Sequence, residues 1–250
     1  KRIWNELTAV FVKHRKYTDA DWVLPSHIID RIEDVSEKFA PKDPFLLYQY
    51  LFSERDFELY ESNDDFEEEQ SKLDEKRQAA IEELLTCGGI EQVIEFVKIV
   101  SSPQAVGYAL ASISNDAIDE YLLPLLLTTS DNKLKELLSS YISKSLREKS
   151  WNWVDDINRS NWSEEDLGQF LSYLPFSENT WKRVESWLSK DEIRYWTRTF
   201  TNALYVETDI KFAVNKLLHY ERPRAALRCI SSWMFQGKSL DSEQCIEVLL

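Results

Sequence analysis

The chain has 250 residues, only 5 of them glycine and 7 proline, and carries a formal net charge of −14 at pH 7. So few chain breakers favour long helices joined by short turns over a β-rich fold. The acidic balance disfavours binding to nucleic-acid phosphates or anionic lipid. No apolar run approaches the roughly 18 residues that a membrane-spanning helix needs.

Apolar residues recur at helical spacing from the beginning of the chain. The first predicted helical face lies within residues 3–11 and the second within residues 28–39, between two prolines. Asp43-Pro44 predicts the start of a short aromatic helix. The pattern is typical of consecutive helices without intervening strands.

Residues 54–69 differ from the rest of the chain, because nine of these sixteen residues are acidic. One interpretation is a solvated connector that leads into a helix over residues 63–86, which Gly88-Gly89 would end. The other is an acidic and aromatic surface that docks a basic partner. We therefore predict an N-terminal helical segment over residues 1–86, with an acidic connector at 54–69, followed by a helical-repeat segment over residues 87–250.

The last hundred residues contain seven of the nine tryptophans. Trp181 and Trp187 lie in one apolar helical register, and a following helix is predicted to present Ile193, Trp196 and Phe200. Large aromatic residues at this spacing are typical of helix faces that fill the space between packed layers. We therefore expect these side chains to be packing residues.

The pattern as a whole predicts an all-α fold of about fourteen helices. Short connections favour antiparallel packing of neighbours, so we predict an irregular α-solenoid of stacked antiparallel helix pairs. A compact multi-helix bundle is the alternative, because no fixed repeat period is present. The chain begins at Lys1 without a methionine and ends inside an apolar run, which predicts that it is a piece of a longer polypeptide that continues the repeat.

The sequence holds no convincing catalytic or metal-binding motif. Gly237-Lys238-Ser239 resembles the end of a phosphate-binding loop, but Ser232 stands where that loop needs glycine. The three histidines and three cysteines have no metal-ligand spacing, and the paired carboxylates stand at predicted helix starts, where capping explains them. We expect no catalytic residue, cofactor or metal in this segment, and therefore no enzyme activity of its own.

A stretch rich in basic and aromatic residues runs from Lys182 to Arg228, with ten basic residues against six acidic ones. It is the best candidate for a contact with another protein or another copy of the chain. A solvated helix face and an arm that contacts single-stranded nucleic acid are the other interpretations. The candidate partner-contact residues are Arg194, Arg198, Arg222, Arg224 and Arg228.

Residues 151–250 resemble helical-repeat regions of very large bacterial proteins. The resemblance is carried by Tyr195-Trp196, by the segment from Ile210 through Tyr220 to Arg222-Pro223-Arg224, and by Leu174-Pro175-Phe176 with Trp181. Such proteins often join an N-terminal effector or NTPase module to a long α-solenoid, and several act in antiviral defence by sensing a phage protein. The resemblance implies a cytoplasmic sensor or scaffold segment and transfers no functional residue.

The expected function is therefore a non-catalytic scaffold or sensor for protein–protein contact within a larger protein, with no small-molecule ligand. A compact helical enzyme domain with a buried acid pair is one alternative. A nucleic-acid-contacting arm using residues 182–228 is the other.

Overall fold

The structure is a computed structural model that describes residues 2–60, 65–207 and 210–238. These ranges contain helices, turns and loops and no strand, so the predicted all-α fold is confirmed. Four short 3₁₀ segments cover Gln49–Phe52, Asp56–Leu59, Ser189–Asp191 and Ala203–Tyr205. The α-helices are α1 (Arg2–Lys16), α2 (Ser26–Glu37), α3 (Pro44–Tyr48), α4 (Phe66–Ile99), α5 (Pro103–Ser112), α6 (Asp116–Leu127), α7 (Asn132–Asp156), α8 (Glu164–Tyr173), α9 (Glu178–Leu188), α10 (Ile193–Trp196), α11 (Ile210–His219) and α12 (Pro223–Phe235).

The chain forms two compact units. The first consists of residues 1–122 and 129–148, and the second of residues 123–128 and 149–250. The predicted division after residue 86 stays a prediction. That position lies inside the first unit, next to a kink in α4.

Two of the long helices are broken by residues with non-helical backbone angles. Gly88 and Gly89 interrupt α4, and Gly89 has a φ of +69°, a conformation that glycine adopts at little cost. The predicted helix end at this glycine pair is therefore confirmed as a break, although the helix resumes directly after it. Ser150 interrupts α7 with a φ of +64°, a break that the sequence pattern does not predict.

In the first unit, α1 and α2 pack side by side in opposite directions. Thr8 of α1 contacts Ser36 near the end of α2, whereas Arg15 at the end of α1 pairs with Asp30. Contacts that run in opposite order along two helices show that α1 and α2 are antiparallel. This is the predicted arrangement for neighbours joined by a short connection.

In the same unit, α5 and α7 run parallel to each other, as their contacts show. Gly107 of α5 faces Ser140, Tyr108 lies under the Arg147 guanidinium, and Ser112 contacts Glu148. A side chain at Gly107 would collide with α7, because a Cβ there would lie 2.3 Å from the carbonyl oxygen of Leu137. The glycine therefore permits the close approach of the two helices.

In the second unit, α9, α10 and α11 pack together. Trp196 of α10 packs on Phe212 of α11 with ring centroids 6.0 Å apart, and Glu192 just before α10 accepts a hydrogen bond from Lys216 further along α11. These two contacts make α10 and α11 antiparallel. Trp181 of α9 contacts the same Phe212 ring at 5.6 Å. The three helices thus enclose one aromatic cluster.

This cluster confirms that Trp181 and Trp196 are packing residues. Trp196 is fully buried, and its indole Nε1 donates to the Glu192 carboxylate at 3.0 Å. Trp187 differs, because it is only half-buried and carries the Arg159 guanidinium 3.9 Å above its ring. Arg159 in turn donates to the backbone carbonyls of Val154 and Asp155 at the end of α7, so it caps that helix.

Candidate interaction surface

Two of the five candidate arginines, Arg194 and Arg198, bind a single carboxylate inside the second unit. Both ion-pair with Glu165 of α8, Arg198 at 2.6 Å through Oε1 and Arg194 through Oε2. Arg198 also donates to the Gln169 side chain at 2.9 Å. Hydrogen bonds from Arg198 and then Arg194 lower the pKa of Glu165 below its ordinary value. These arginines therefore connect α8 to α10 and the residues that follow it.

Gly168 makes this connection possible. A Cβ at this position would lie 2.6 Å from Cβ of Arg194 and 3.0 Å from its backbone carbonyl. Only a residue without a side chain lets α8 approach α10 so closely. The connection between these helices therefore depends on the glycine as well as on the ion pairs.

Arg222 has a different structural role, since its guanidinium binds backbone carbonyl groups. Its Nη1 donates to the carbonyl oxygens of Trp196 at 2.7 Å and Thr199 at 3.0 Å. Burial, and then the neighbouring Arg228, lower the pKa of Arg222 below its ordinary value. Arg222 thus satisfies the carbonyl groups left free where α10 ends.

The early end of α10 corrects part of the sequence-based prediction. The predicted register placed Ile193, Trp196 and Phe200 on one packed helical face, but the helix ends at Trp196. As a result Ile193 is half exposed and Phe200 is 74% exposed. The sequence pattern could not show that Arg222, from a distant part of the chain, caps the carbonyl groups at this helix end.

Arg224 and Arg228 stand apart from the other three. They lie one turn apart on α12 and both are exposed. Within the described part of the chain, neither guanidinium has a hydrogen bond or ion pair with another residue. The structure therefore divides the candidate set into three arginines with internal partners and two that face outward.

The outward face of α12 also exposes large apolar side chains. Its opposite face is buried through Ala226, Cys229 and Trp233, which packs the helix onto its unit. Leu227, Met234 and Phe235 are exposed, Phe235 to 89%. Exposed residues of this size close to free arginines are typical of protein contact surfaces.

Residues 200–206 lie alongside α12 and add three more exposed apolar side chains. Asn202 contacts Ser232 at 3.3 Å, and the carbonyl oxygen of Ala203 accepts a hydrogen bond from Gln236 at 3.0 Å. Thr201, Ala203 and Val206 are buried in this segment, while its other large side chains point outward. We call the combined set the α12 surface: Phe200, Leu204, Tyr205, Arg224, Leu227, Arg228, Met234 and Phe235.

The sequence reasoning identified the arginines of this surface but missed most of its apolar members. Phe200 was expected in a packed helical face, yet it is 74% exposed, and Met234 is 55% exposed. Leu204 and Tyr205 could have been suspected from the sequence, because they follow a threonine-rich stretch that is a poor helix former. Their exposure still depends on which residues of the segment pack against α12.

The acidic stretch at 54–69 has structural contacts at several of its described residues. Arg77, which is almost fully buried, binds the Asp56 carboxylate through two nitrogens, the closer at 2.6 Å. Asp65 caps α4 by accepting from the backbone of Glu67 and Glu68. The helix begins at Phe66, three residues later than the sequence predicted, and residues 61–64 lie outside the described ranges.

Lys238 and the cysteines are the remaining residues that the sequence singled out for possible chemistry. Lys238 donates to the carbonyl oxygen of Val206 at 2.8 Å and lies 3.9 Å above the Trp233 ring. Burial raises the pKa of the Cys229 thiol to about 12, which keeps it neutral and poorly nucleophilic. Cys87 is exposed, and Cys245 lies outside the described ranges.

Residues 2–60, 65–207 and 210–238 contain neither a cluster of metal-ligating side chains nor a membrane-spanning helix. In these ranges no three His, Cys, Asp or Glu side chains are grouped closely enough to hold a metal ion. None of the helices there combines the length and the apolar character needed to cross a membrane.

The chain matches no protein-family model, no curated protein and no solved structure.

Proposed function

We propose that this chain is a helical interaction segment that presents the α12 surface to another protein or to a second copy of itself. The proposal rests on one observation, the difference between candidate arginines that bind within the chain and those that face outward. Arg194, Arg198 and Arg222 have partners inside the second unit, whereas Arg224 and Arg228 are exposed beside six exposed apolar side chains of the α12 surface.

The chemistry of the α12 surface indicates the kind of partner. Leu227, Met234 and Phe235 offer apolar area that gains free energy when it leaves water. Arg224 and Arg228 can each bind a carboxylate through two nitrogens. A partner with an apolar centre and acidic groups at its rim fits this surface best.

Many basic residues of the 182–228 stretch bind groups within the chain, which favours a protein partner over a nucleic acid. Between Lys182 and Arg228, at least five of the ten basic side chains bind groups of the chain itself. These are Arg183, Arg194, Arg198, Lys216 and Arg222. Nucleic-acid binding depends on several free cations that neutralise phosphates, and the net charge of −14 opposes it.

The paired acidic residues that an enzyme would need for catalysis also form hydrogen bonds or ion pairs within the chain. Asp155 binds Arg183, Asp166 forms a capping box with Ser163, and Glu192 binds Trp196 and Lys216. These contacts favour the interaction segment over a compact enzyme domain with an acid pair.

A narrower proposal follows from the resemblance of residues 151–250 to helical-repeat regions of large bacterial proteins. In this proposal the parent protein is cytoplasmic, serves antiviral defence, and binds a phage protein through the segment. The support is the resemblance in packing residues alone.

The test is partner capture with charge-reversed variants. The parent protein carrying R224E and R228E serves as bait in an extract of cells that contain it, and captured proteins are identified by mass spectrometry and retested after purification. We expect the double variant to lose a partner that the unchanged protein retains. High salt should weaken the retained contact, because exposed charges are screened.

The matched control reverses two other exposed cations of the second unit, Lys182 and Lys190. The K182E/K190E variant changes the net charge by the same amount, so it should keep the partner. Sedimentation analysis of the purified chain detects a second copy as the partner. Binding that survives both the R224E/R228E reversal and high salt would reject the α12 surface as the contact.

A further inference from the structure

A cavity of about 430 Å³ lies in the first unit, far along the chain from the α12 surface. It is open to solvent on one side and is lined by α1, by the short segment Gln49–Phe52 and by α4, with α2 and Asp56–Leu59 at its edges. Its floor is made of Trp4, Leu51 and Leu73, all of them buried. Its volume is in the range of small-molecule sites, which are concave and mostly apolar.

Aromatic and aliphatic groups form most of the cavity wall. The ring of Tyr50 meets Trp4 edge to face, with centroids 5.3 Å apart. The apolar part of the lining is completed by Ala9, Phe11, Val12 and Leu59. Such a wall favours a planar apolar molecule, because ring edges and faces attract each other when they are offset or perpendicular.

The charged side chains at the cavity already neutralise one another or their neighbours. Glu69 is 4% exposed and accepts from Lys72 Nζ at 3.1 Å. Lys72 also pairs with Glu68 at 2.6 Å, and Glu33 pairs with Arg15. Lys76, the remaining charged residue of the lining, has an interaction of its own. A charged ligand would therefore leave water without finding a free opposite charge, which is costly.

Asn5 provides a polar group at the rim of the cavity. Its side chain is exposed, lines the cavity, and has no hydrogen-bond partner within the described ranges. A side-chain amide donates through its NH2 group and accepts through its carbonyl oxygen. It can therefore orient a polar substituent of a mainly apolar ligand.

We propose that this cavity is a binding site for an uncharged, mainly apolar small molecule that contains an aromatic ring. The proposal is independent of the proposed function, because none of the lining residues belongs to the α12 surface.

The test uses the uncharged fluorescent probe N-phenyl-1-naphthylamine, titrated into the purified full chain. Its fluorescence rises when it leaves water, which reports binding. Because the proposal concerns a single cavity, we expect saturable binding of one probe per chain. The variant A9F places a ring at a residue of the lining, and V10F places the same ring on its neighbour, which does not line the cavity. We expect A9F to bind the probe at least about tenfold more weakly and V10F to bind it like the unchanged chain.

A second pair of variants keeps the test valid where A9F fails to fold, as judged by circular dichroism. N5W blocks the exposed rim, and E6W carries the same change at an exposed neighbour outside the lining. Loss of binding in N5W and its retention in E6W support the site. Failure of the unchanged chain to bind the probe overturns the proposal, as does equal binding by both members of each pair.

Discussion

Arg183 binds Asp155 through two parallel hydrogen bonds, Nε to Oδ1 at 2.8 Å and Nη2 to Oδ2 at 2.6 Å. Its guanidinium also lies 4.5 Å above the Trp151 ring and donates to the carbonyl oxygen of Asn179 at 2.8 Å. This arginine belongs to the basic stretch that the sequence suggested as a contact surface. Its contacts connect the end of α7 to α9, so its role is structural.

The first prediction concerns this connection. Arg183→Ala should lower the free energy of unfolding by about 1–2 kcal/mol, because it removes a cation–π contact and the packing of the aliphatic stem. The ion pair itself adds little, since the Asp155 side chain is 50% exposed and water screens the pair. Urea unfolding measures the change. Lys182→Ala, at an exposed neighbour, should stay within about 0.5 kcal/mol, and an equal loss there would contradict this role.

A second prediction separates two tryptophans that the sequence treated alike. Trp196 is fully buried in the aromatic cluster, so Trp196→Ala should cost about 3–5 kcal/mol. Trp187 is half-buried, and its described ring contact is the Arg159 guanidinium, so Trp187→Ala should cost about 1–2 kcal/mol. Denaturant unfolding of both variants gives the comparison. A similar cost for the two would show that Trp187 also lies in the core.

The third prediction is that alanine at Gly107 lowers the stability of the protein, although helix propensity favours alanine over glycine. Alanine stabilises an exposed helix position by about 1 kcal/mol relative to glycine. At Gly107 the added Cβ would meet Ser140 Oγ at 2.2 Å and a backbone carbonyl of α7 at 2.3 Å. We therefore expect Gly107→Ala to destabilise the protein by about 1–3 kcal/mol. Gln104→Ala on the exposed side of α5 is the control, and a stabilising Gly107→Ala would disprove the close helix approach.

The fourth prediction concerns the buried thiol of Cys229. Burial raises its pKa from 9.0 to about 12, so the folded protein keeps it protonated while the unfolded chain loses the proton near pH 9. The unfolded state is then favoured as the pH rises above about 9, and stability should fall less steeply in Cys229→Ala. Unfolding measured at pH 8 and pH 9.5 tests this. Identical pH dependence in the two proteins would exclude Cys229 as a source of the loss.

Thiol labelling offers a direct check of the same burial. In a Cys245→Ser background, a thiol reagent at pH 8 should modify Cys87 in the folded protein and Cys229 only after unfolding, because Cys87 is exposed. Rapid labelling of two thiols in the folded state would contradict the burial of Cys229.

The helical periodicity predicted the fold class because each helix carries its own apolar stripe. Trp181 and Trp196 could be assigned to the core for the same reason, and the break at Gly88-Gly89 followed from local backbone preference. The roles of Gly107 and Gly168 could not be predicted, since each depends on a backbone approach by a helix distant in the sequence.

The candidate surface was only partly predictable for a related reason. Charge patterning drew attention to the arginines between residues 182 and 228. It could not separate Arg198, which binds Glu165, from Arg228, which faces outward. Helical spacing predicted that Phe200 would lie in the core. It could not show that Arg222, distant in the sequence, binds the carbonyl groups of Trp196 and Thr199 where the helix ends.

Arg194 and Arg198 connect α8 to α10 through Glu165, whereas Arg224 and Arg228 face outward. The most direct measurement is the free energy of unfolding of two double variants, R194A/R198A and R224A/R228A, by urea titration. Loss of the ion pairs to Glu165 and of the packed stems should destabilise R194A/R198A by about 1–3 kcal/mol, while R224A/R228A should stay within about 0.5 kcal/mol of the unchanged chain. Equal stability of the two variants, or a larger loss in R224A/R228A, would contradict the division on which the proposed contact surface rests.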